Sequence, residues 1–385
     1  MRLDRAELQS IAAGYARPVE VGAIGSHSAL DIADGAVGEG FRTLLLCEIG
    51  RDLTYRRYFR CVRDANGQPV RGCVDEVWSY PKFAEALQPE VQQKLRERSV
   101  LLVPNRALSS YLPLDAIESE LRVPLVGSRR LLRIEERSER ENYYTLLAAG
   151  GLPTPELVPD PKAIAGLVMV KLPHATRRLE RGFFTCSSPA EYAERSGRLL
   201  AEGVIRADDL AHARIERYIV GPVFNFNFFF SPLAPREDAL ELLGVDERRE
   251  SSLDGLVRLP AAQQLSLPEG TQMPRYTVVG HGSLTVRESI LEEVFRLGER
   301  FVEVARERYP PGIIGPFCLQ TCLDPDGRPV IFDVAVRIGG GTNIHLSTGH
   351  PYANALWREP MSSGHRLAQE IRRAVADGRL AEVLT

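Results

Sequence analysis

The chain has 385 residues, with 48 Lys+Arg against 51 Asp+Glu (formal net charge −3), 44% hydrophobic and 26% charged residues. That composition fits a globular protein of two or three domains with length enough for a large core, and it excludes a disordered chain. The balanced charge argues against a general nucleic-acid binder, no apolar run reaches the roughly 18 residues of a membrane span, and the amino-terminal segment lacks a signal-peptide core.

In chain order, Met1–Glu7 reads as the start of an amphipathic helix. Short apolar runs then alternate with helical patterns, the signature of a parallel sheet in βαβ units. Val19–Ile24 is a predicted strand that ends at Gly25-Ser26-His27-Ser28, and Ala29 opens a helix. Thr43–Ile49 and Ser99–Val103 are further buried strands, and together these make an open α/β domain. The segment from Ser128 to Tyr144 is dense in charge and predicts a solvated helix joining two domains. Gly150-Gly151-Leu152-Pro153 terminates the helix that follows, since glycine takes the left-handed cap and proline cannot continue. Gly166–Lys171 and Phe183–Thr185 predict two strands joined by a mobile basic loop (His174, Arg177, Arg178, Glu180), a flap over something anionic. Val223–Phe230 alternates as an antiparallel strand with one polar face. Glu288–Glu307 is an amphipathic helix with Ser289 and Glu292 as its capping box. Two strands, Gly315–Gln320 and Val330–Arg337, are joined by a tight turn at Asp324–Pro329.

The six cysteines (47, 61, 73, 186, 318, 322) contain no CxxC pair and read as reduced thiols of a cytoplasmic protein. Only Lys82, Lys94, Lys162 and Lys171 are lysines, so a lysine at the end of an apolar strand is conspicuous. Lys171 is either a point-charge partner for a nucleotide phosphate or a surface lysine. Gln320 and Asp333 flank the carboxy-terminal turn so that an antiparallel pair sets them side by side. Two oxygen ligands there suit Mg²⁺, which takes few protein ligands and keeps sites for phosphate; the alternative is a solvated sheet face. Arg337 supplies a fixed positive charge, and Gly339-Gly340-Gly341 lets backbone amides approach an anion. Glu216 precedes a predicted strand whose backbone can read an adenine edge, and Glu250 can accept from a ribose hydroxyl; each is otherwise a surface carboxylate. Ser26 and His27 stand at a strand-to-helix junction, an anion site by geometry, unless the serines cap the helix and His27 packs. No G-x-S-x-G elbow is present.

These stretches in this order resemble, nearly end to end, the ATP-grasp enzymes of archaeal-type purine synthesis, the 5-formamidoimidazole-4-carboxamide ribonucleotide (FAICAR) synthetases. The resemblance rests on Gly25-Ser-His27-Ser-Ala-Leu, Gly50-Arg-Asp, Ser138-Glu-Arg140, Val168-Met-Val-Lys171, Leu243-Gly-Val-Asp, Asp254–Pro260 and Val286-Arg-Glu-Ser-Ile. It continues with Pro310–Gln320, Gly340-Gly-Thr-Asn343 and Pro351-Tyr. It implies an ATP-grasp fold after a Rossmann-like open parallel-sheet domain, with boundaries at 1–127 and 128–385 and a flap over about 153–222. It also implies a ligation in which ATP phosphorylates formate and the amine of an aminoimidazole carboxamide ribonucleotide attacks the formyl phosphate, with Mg²⁺ or Mn²⁺ bound. By resemblance, Gln320 matches a metal ligand, Asp333 stands where the family has a metal-binding glutamate, Glu250 matches a nucleotide contact, Lys171 lies in the ATP-binding segment and His27 matches an acceptor contact. The candidate ATP-binding residues are thus Lys171, Glu216, Ile219 and Glu250, the candidate acceptor-binding residues Ser26, His27, Ala107, His281 and Asn343, the candidate metal ligands Gln320 and Asp333, and the candidate catalytic residues Arg337 and His27.

The sequence departs from the family pattern in several places. Ala107 replaces a serine, His281 an asparagine, Gly339 an aspartate and Thr145 a lysine, and the flap is crowded with arginine. These departures leave two alternatives: a paralogue acting on another amine or nucleoside-like acceptor, or an ATP-binding sensor without turnover. The expected partners are small molecules, with neither nucleic acid nor membrane, in a homo-oligomer.

Overall fold

The computed structural model describes residues 2–15, 18–173, 183–268 and 277–385. The basic loop carrying His174, Arg177, Arg178 and Glu180 lies outside them. The opening helix is present as Arg5–Ala13, capped by the Asp4 side chain. In the first third of the chain the strands are β1 (Glu20–Ile24), β2 (Arg42–Glu48), a short hairpin of β3 (Val62–Arg63) and β4 (Pro69–Arg71), then β5 (Glu76–Tyr80) and β6 (Val100–Leu102). β5, β2, β1 and β6 lie side by side in that order, all parallel. Sequence analysis missed β5 and the hairpin: Glu76-Val-Trp-Ser-Tyr80 is only half-buried, so it lacks the continuous apolar run that reveals β1 and β2.

The second region holds two antiparallel sheets. A three-stranded one is built from β7 (Val168–Lys171), β8 (Phe183–Cys186) and β9 (Arg214–Arg217), with β7 in the middle. A five-stranded one contains β10 (Val223–Phe230), β11 (Leu240–Glu250), β12 (Val278–Ser283), β13 (Gly315–Leu323) and β14 (Pro329–Ala335), in the order β12-β11-β10-β13-β14. β10 is central and antiparallel as expected, yet its polar side is also buried: Asn225 and Asn227 are 4% and 3% exposed. The β13–β14 turn is held by Asp324, whose side chain accepts from the amides of Asp326 and Arg328. The long helix Leu291–Arg308 packs Val294, Leu297 and Phe301 into the main core, where Phe301 and Phe228 stack on Phe317.

Two local expectations are corrected. Ser289 and Glu292 form no capping box, because the 3-10 turn Glu288–Ile290 runs straight into the helix and leaves Ser289 inside it. The capping box sits instead at Asn142 and Thr145, at the start of the helix Tyr143–Ala149. The stretch from Ser128 is likewise no solvated helix. It makes the 3-10 segment Arg129–Glu135 with Leu131, Leu132 and Ile134 in the core. Its charges turn inward onto partners: Arg129 donates to the carbonyls of Ile117, Leu121, Val123 and Thr385. A buried cation that satisfies so many carbonyls is held in place, whereas an unpaired one would be expelled.

The carboxy-terminal helix Ser363–Ala376 lies against Ala29–Gly38, and Thr385 closes back on Leu125 through two backbone hydrogen bonds. The six cysteines are free. Among the described residues no helix is long and apolar enough to cross a membrane.

Candidate active site

The five-stranded sheet presents one row of polar side chains. In register, Asp246 on β11 faces Asn225 on β10, Asn225 faces Gln320 on β13, and Gln320 faces Asp333 on β14. Residues directly opposed across antiparallel strands point to the same face, so all four project together. Two-residue steps along β11 add Arg248 and Glu250 to that face. These residues line a cleft of about 880 Å³. Gln320 and Asp333 are 8% and 7% exposed; the Gln320 amide oxygen accepts from the Arg248 guanidinium, and Asp333 accepts from the Val334 amide at 3.0 Å. Burial pushes the Glu250 carboxyl upward, with Arg248 opposing.

The three-stranded sheet supplies the opposite wall. Lys171 and Met169 on β7 pair with Arg214 and Glu216 on β9 and share a face. The Lys171 ammonium sits 2.5 Å from Glu216, donates to the Tyr144 hydroxyl at 2.8 Å and reaches the carbonyl of Phe332 at 3.0 Å. The last contact brings it beside Asp333. Burial lowers the Lys171 pKa, and Glu216 counteracts this. Glu216 lies on β9 itself, 1% exposed, and also pairs with Arg214 at 2.5 Å. Ile219, just beyond β9, lines the same cleft.

The third wall is the turn after β1. His27 adopts φ 58°, a left-handed conformation that costs a non-glycine residue and turns up where a site needs it. Its backbone carbonyl accepts from Asn343 at 3.0 Å, and the same Asn343 accepts from the Asp31 amide at 3.1 Å. The triple glycine explains how the walls meet. A Cβ on Gly339 would stand 2.6 Å from the Asn227 amide oxygen, and one on Gly340 2.6 Å from the His27 ring. One on Gly341 would run into the Asp246 carboxylate. Each glycine therefore makes room for a polar side chain of the cleft. Nearby, the buried Glu135 accepts from Arg337 at 3.2 Å and from Arg106 at 3.4 Å, and Arg106 donates more closely to Glu136 at 2.6 Å; both guanidiniums line the cleft.

Of the residues singled out in the sequence, His27, Lys171, Glu216, Ile219, Glu250, His281, Gln320, Asp333 and Arg337 line this one cleft. Three have other surroundings. Ala107 is 2% exposed in the hydrophobic core, and Arg106 and Ser110 of its helix line the cleft instead. The Ser26 hydroxyl accepts from Arg51 at 3.1 Å. Asn343 ties the His27 turn down, as described above. Thr145, expected from the resemblance to replace a lysine, is spent on the helix cap. Sequence reasoning missed Glu135, Asn225, Asn227 and Asp246 as site residues. Asp246 was visible within Leu243-Gly-Val-Asp, but the charged run after it reads as a solvated strand end.

A full-length relative from Methanopyrus kandleri, a 5-formaminoimidazole-4-carboxamide-1-(beta)-D-ribofuranosyl 5'-monophosphate synthetase, is 39% identical over 384 residues, covering 100% of both chains. One of the same name from Methanothermobacter thermautotrophicus is 38% identical, covering 100% of this chain and 99% of its own. The chain belongs to this synthetase family. Two family models match it, a protein of unknown function (DUF1246) over residues 21–158 and a domain of unknown function (DUF1297) over residues 191–385. Among solved structures, an IMP biosynthesis protein PurP from Thermococcus kodakaraensis superposes with TM-score 0.68 at 29% identity, covering 95% of this chain and 100% of that one. An N5-carboxyaminoimidazole synthetase from Staphylococcus aureus complexed with ADP shares the fold alone, with TM-score 0.56 at 10% identity over 86% of this chain and 73% of that one. The synthetase family member described here thus has the ATP-grasp fold, with its parallel sheet amino-terminal to the two antiparallel ones.

Proposed function

We propose that the protein is an ATP-dependent carbon–nitrogen ligase that joins formate to the amine of 5-aminoimidazole-4-carboxamide ribonucleotide, releasing ADP and phosphate. A formate oxygen attacks the γ-phosphorus and ADP leaves. The amine then attacks the carbonyl carbon of formyl phosphate, and the carbon–oxygen bond to phosphate breaks. The observation that carries this reading is the single cleft holding Gln320, Asp333 and Lys171 on two facing sheets, with His27 and Arg337 alongside, in a chain 39% identical to a named synthetase over its full length.

Residues 128–385 form the nucleotide side in this reading, with the flap within 153–222, and residues 1–127 the acceptor side. The nucleotide lies between Lys171, Glu216, Ile219 and Glu250. The Lys171 ammonium, already bonded to Glu216, exchanges part of that pairing for phosphate oxygens, and Glu216 keeps it aimed. Gln320 and Asp333 suit Mg²⁺ or Mn²⁺, since both donors are oxygens from opposed residues; the Arg248 guanidinium on the Gln320 amide oxygen would have to turn away for that oxygen to bind the ion. When bound, that ion offsets the charge on the phosphates during transfer. Arg337, held by Glu135, and Arg106, held by Glu136 and Glu135, offer charge to the formate carboxylate and its acyl phosphate. Burial of this wall keeps water from an intermediate that hydrolyses readily.

The test measures phosphate release with magnesium, ATP, formate and the aminoimidazole ribonucleotide, omitting one component at a time. Release that needs every component, and a drop of about 100-fold or more in Asp333→Ala, supports the ligase. Tight ATP binding with no release under any combination contradicts it.

A further inference from the structure

We infer that His281 and Asp246 form a proton-accepting pair that takes the proton from the attacking amine, with His281 the catalytic residue and Asp246 its positioning partner. The inference rests on the ligase reading and deepens it.

Asp246 is 1% exposed. Its Oδ1 accepts from the Asn227 amide at 2.6 Å, and its Oδ2 accepts from the Asn225 amide at 2.7 Å. The same Oδ2 lies 2.7 Å from Nδ1 of His281. The carboxylate is therefore held by two neutral amides, neither of which brings a compensating charge. In a neutral imidazole, the nitrogen that faces a carboxylate carries the proton, which makes Nδ1 the donor and leaves Nε2 with the lone pair. His281 lines the cleft with its side chain 17% exposed, while the carboxylate behind it is closed off. A buried carboxylate, an imidazole fixed in one tautomer and an accepting nitrogen toward substrate is the arrangement by which a His–Asp pair acts as a general base.

Surrounding charges are consistent with this assignment. β11 supplies Asp246, Glu247, Arg248 and Arg249 along the strand paired with His281. The turn Gly340–His345 packs on β12 with His345, which burial keeps neutral, and His350 lies beside His345. His27 presses on Gly340, one residue from the Gly341 that abuts Asp246. The His27 ring and the Asp246 carboxylate thus stand against consecutive glycines, and His27 and His281 line the same cleft, where an acceptor held at His27 can present its amine to His281.

The step balances. The amine nitrogen forms a bond to the carbonyl carbon of formyl phosphate, its proton passes to Nε2 of His281, and the carbon–oxygen bond to phosphate breaks. The imidazolium, opposite Asp246, then returns its proton to the departing phosphate or to water.

The experiment compares wild-type protein with His281→Ala and Asp246→Asn, following product formation against pH with all substrates present and thermal unfolding as a check on folding. General-base catalysis contributes about 10²–10⁴-fold. His281→Ala is therefore expected to lower kcat about 100-fold or more and to flatten the acid side of its pH profile, with KM for ATP within about threefold. Asp246→Asn is expected to lower kcat and to move the acid limb to lower pH, because the imidazole remains but loses the carboxylate that favours its protonated form. Replacing the amine by hydroxylamine, which attacks without base assistance, is expected to recover much of the lost rate in His281→Ala. A His281→Ala protein that folds, turns over within threefold of wild type and keeps the acid limb overturns the pair while leaving the ligase standing. No product from the wild type overturns both.

Discussion

His345 and Asp31 are buried on either side of the turn that holds His27, and their protons pull stability in opposite directions. Burial lowers His345 to about 4 from its ordinary 6.5 and raises Asp31 to about 6 from 3.8. The folded state favours neutral His345. Its contribution is complete above pH 6.5 and is lost as pH falls toward 4, amounting to about 3 kcal/mol at most. The folded state also favours protonated Asp31, so a penalty present above about pH 6 is relieved over the same interval. His345→Gln should therefore lose less Tm than wild type between pH 6.5 and 4. Parallel curves for the two proteins would mean that His345 is not the acid-sensitive group. At this scale the pairing of Gln320 with Asp333 was legible in the sequence, since it follows from a strand, a turn and a strand. Asp246 and Glu135 were not. Their importance comes from partners 19 to 202 residues away, and a charged residue in a charged run gives no sign of where its partner will be.

The helices Ala29–Gly38 and Ser363–Ala376 cross where Gly35 and Gly364 meet. A Cβ on Gly364 would collide with the backbone of Asp31, and one on Gly35 with the backbone of Gly364. Such overpacking costs about 1–3 kcal/mol or more. Gly364→Ala should lower the urea midpoint of unfolding by a matching amount and, by shifting Asp31 and hence Asn343, loosen the His27 turn. An unchanged midpoint would show that the two helices can separate freely. Elements with a strong period were readable: β1, β2, β13, β14 and the long helix all lie within a few residues of their expected bounds. The stretch after Ser128 was misread because its charges look solvated when counted along the chain. In three dimensions Arg129, Arg133 and Glu135 each find buried or half-buried partners, and they pull the segment into the interior as a 3-10 turn. β5 escaped notice for the opposite reason, since an edge strand needs only one apolar face.

Over the whole molecule, three sheets converge on one cleft. One antiparallel sheet gives a transverse row of oxygens, the other a lysine clamped by a glutamate, and the parallel sheet a strained histidine turn. Three glycines let these walls close to contact distance. That arrangement sets phosphoryl transfer and amine attack in one cleft, and the activation of formate as its acyl phosphate is the central claim. Formate labelled in its oxygens, supplied with magnesium, ATP and the aminoimidazole ribonucleotide, tests it directly. If formate is activated as its acyl phosphate, each molecule of product formed is accompanied by phosphate bearing one labelled oxygen from formate. Product accompanied by unlabelled phosphate would contradict it.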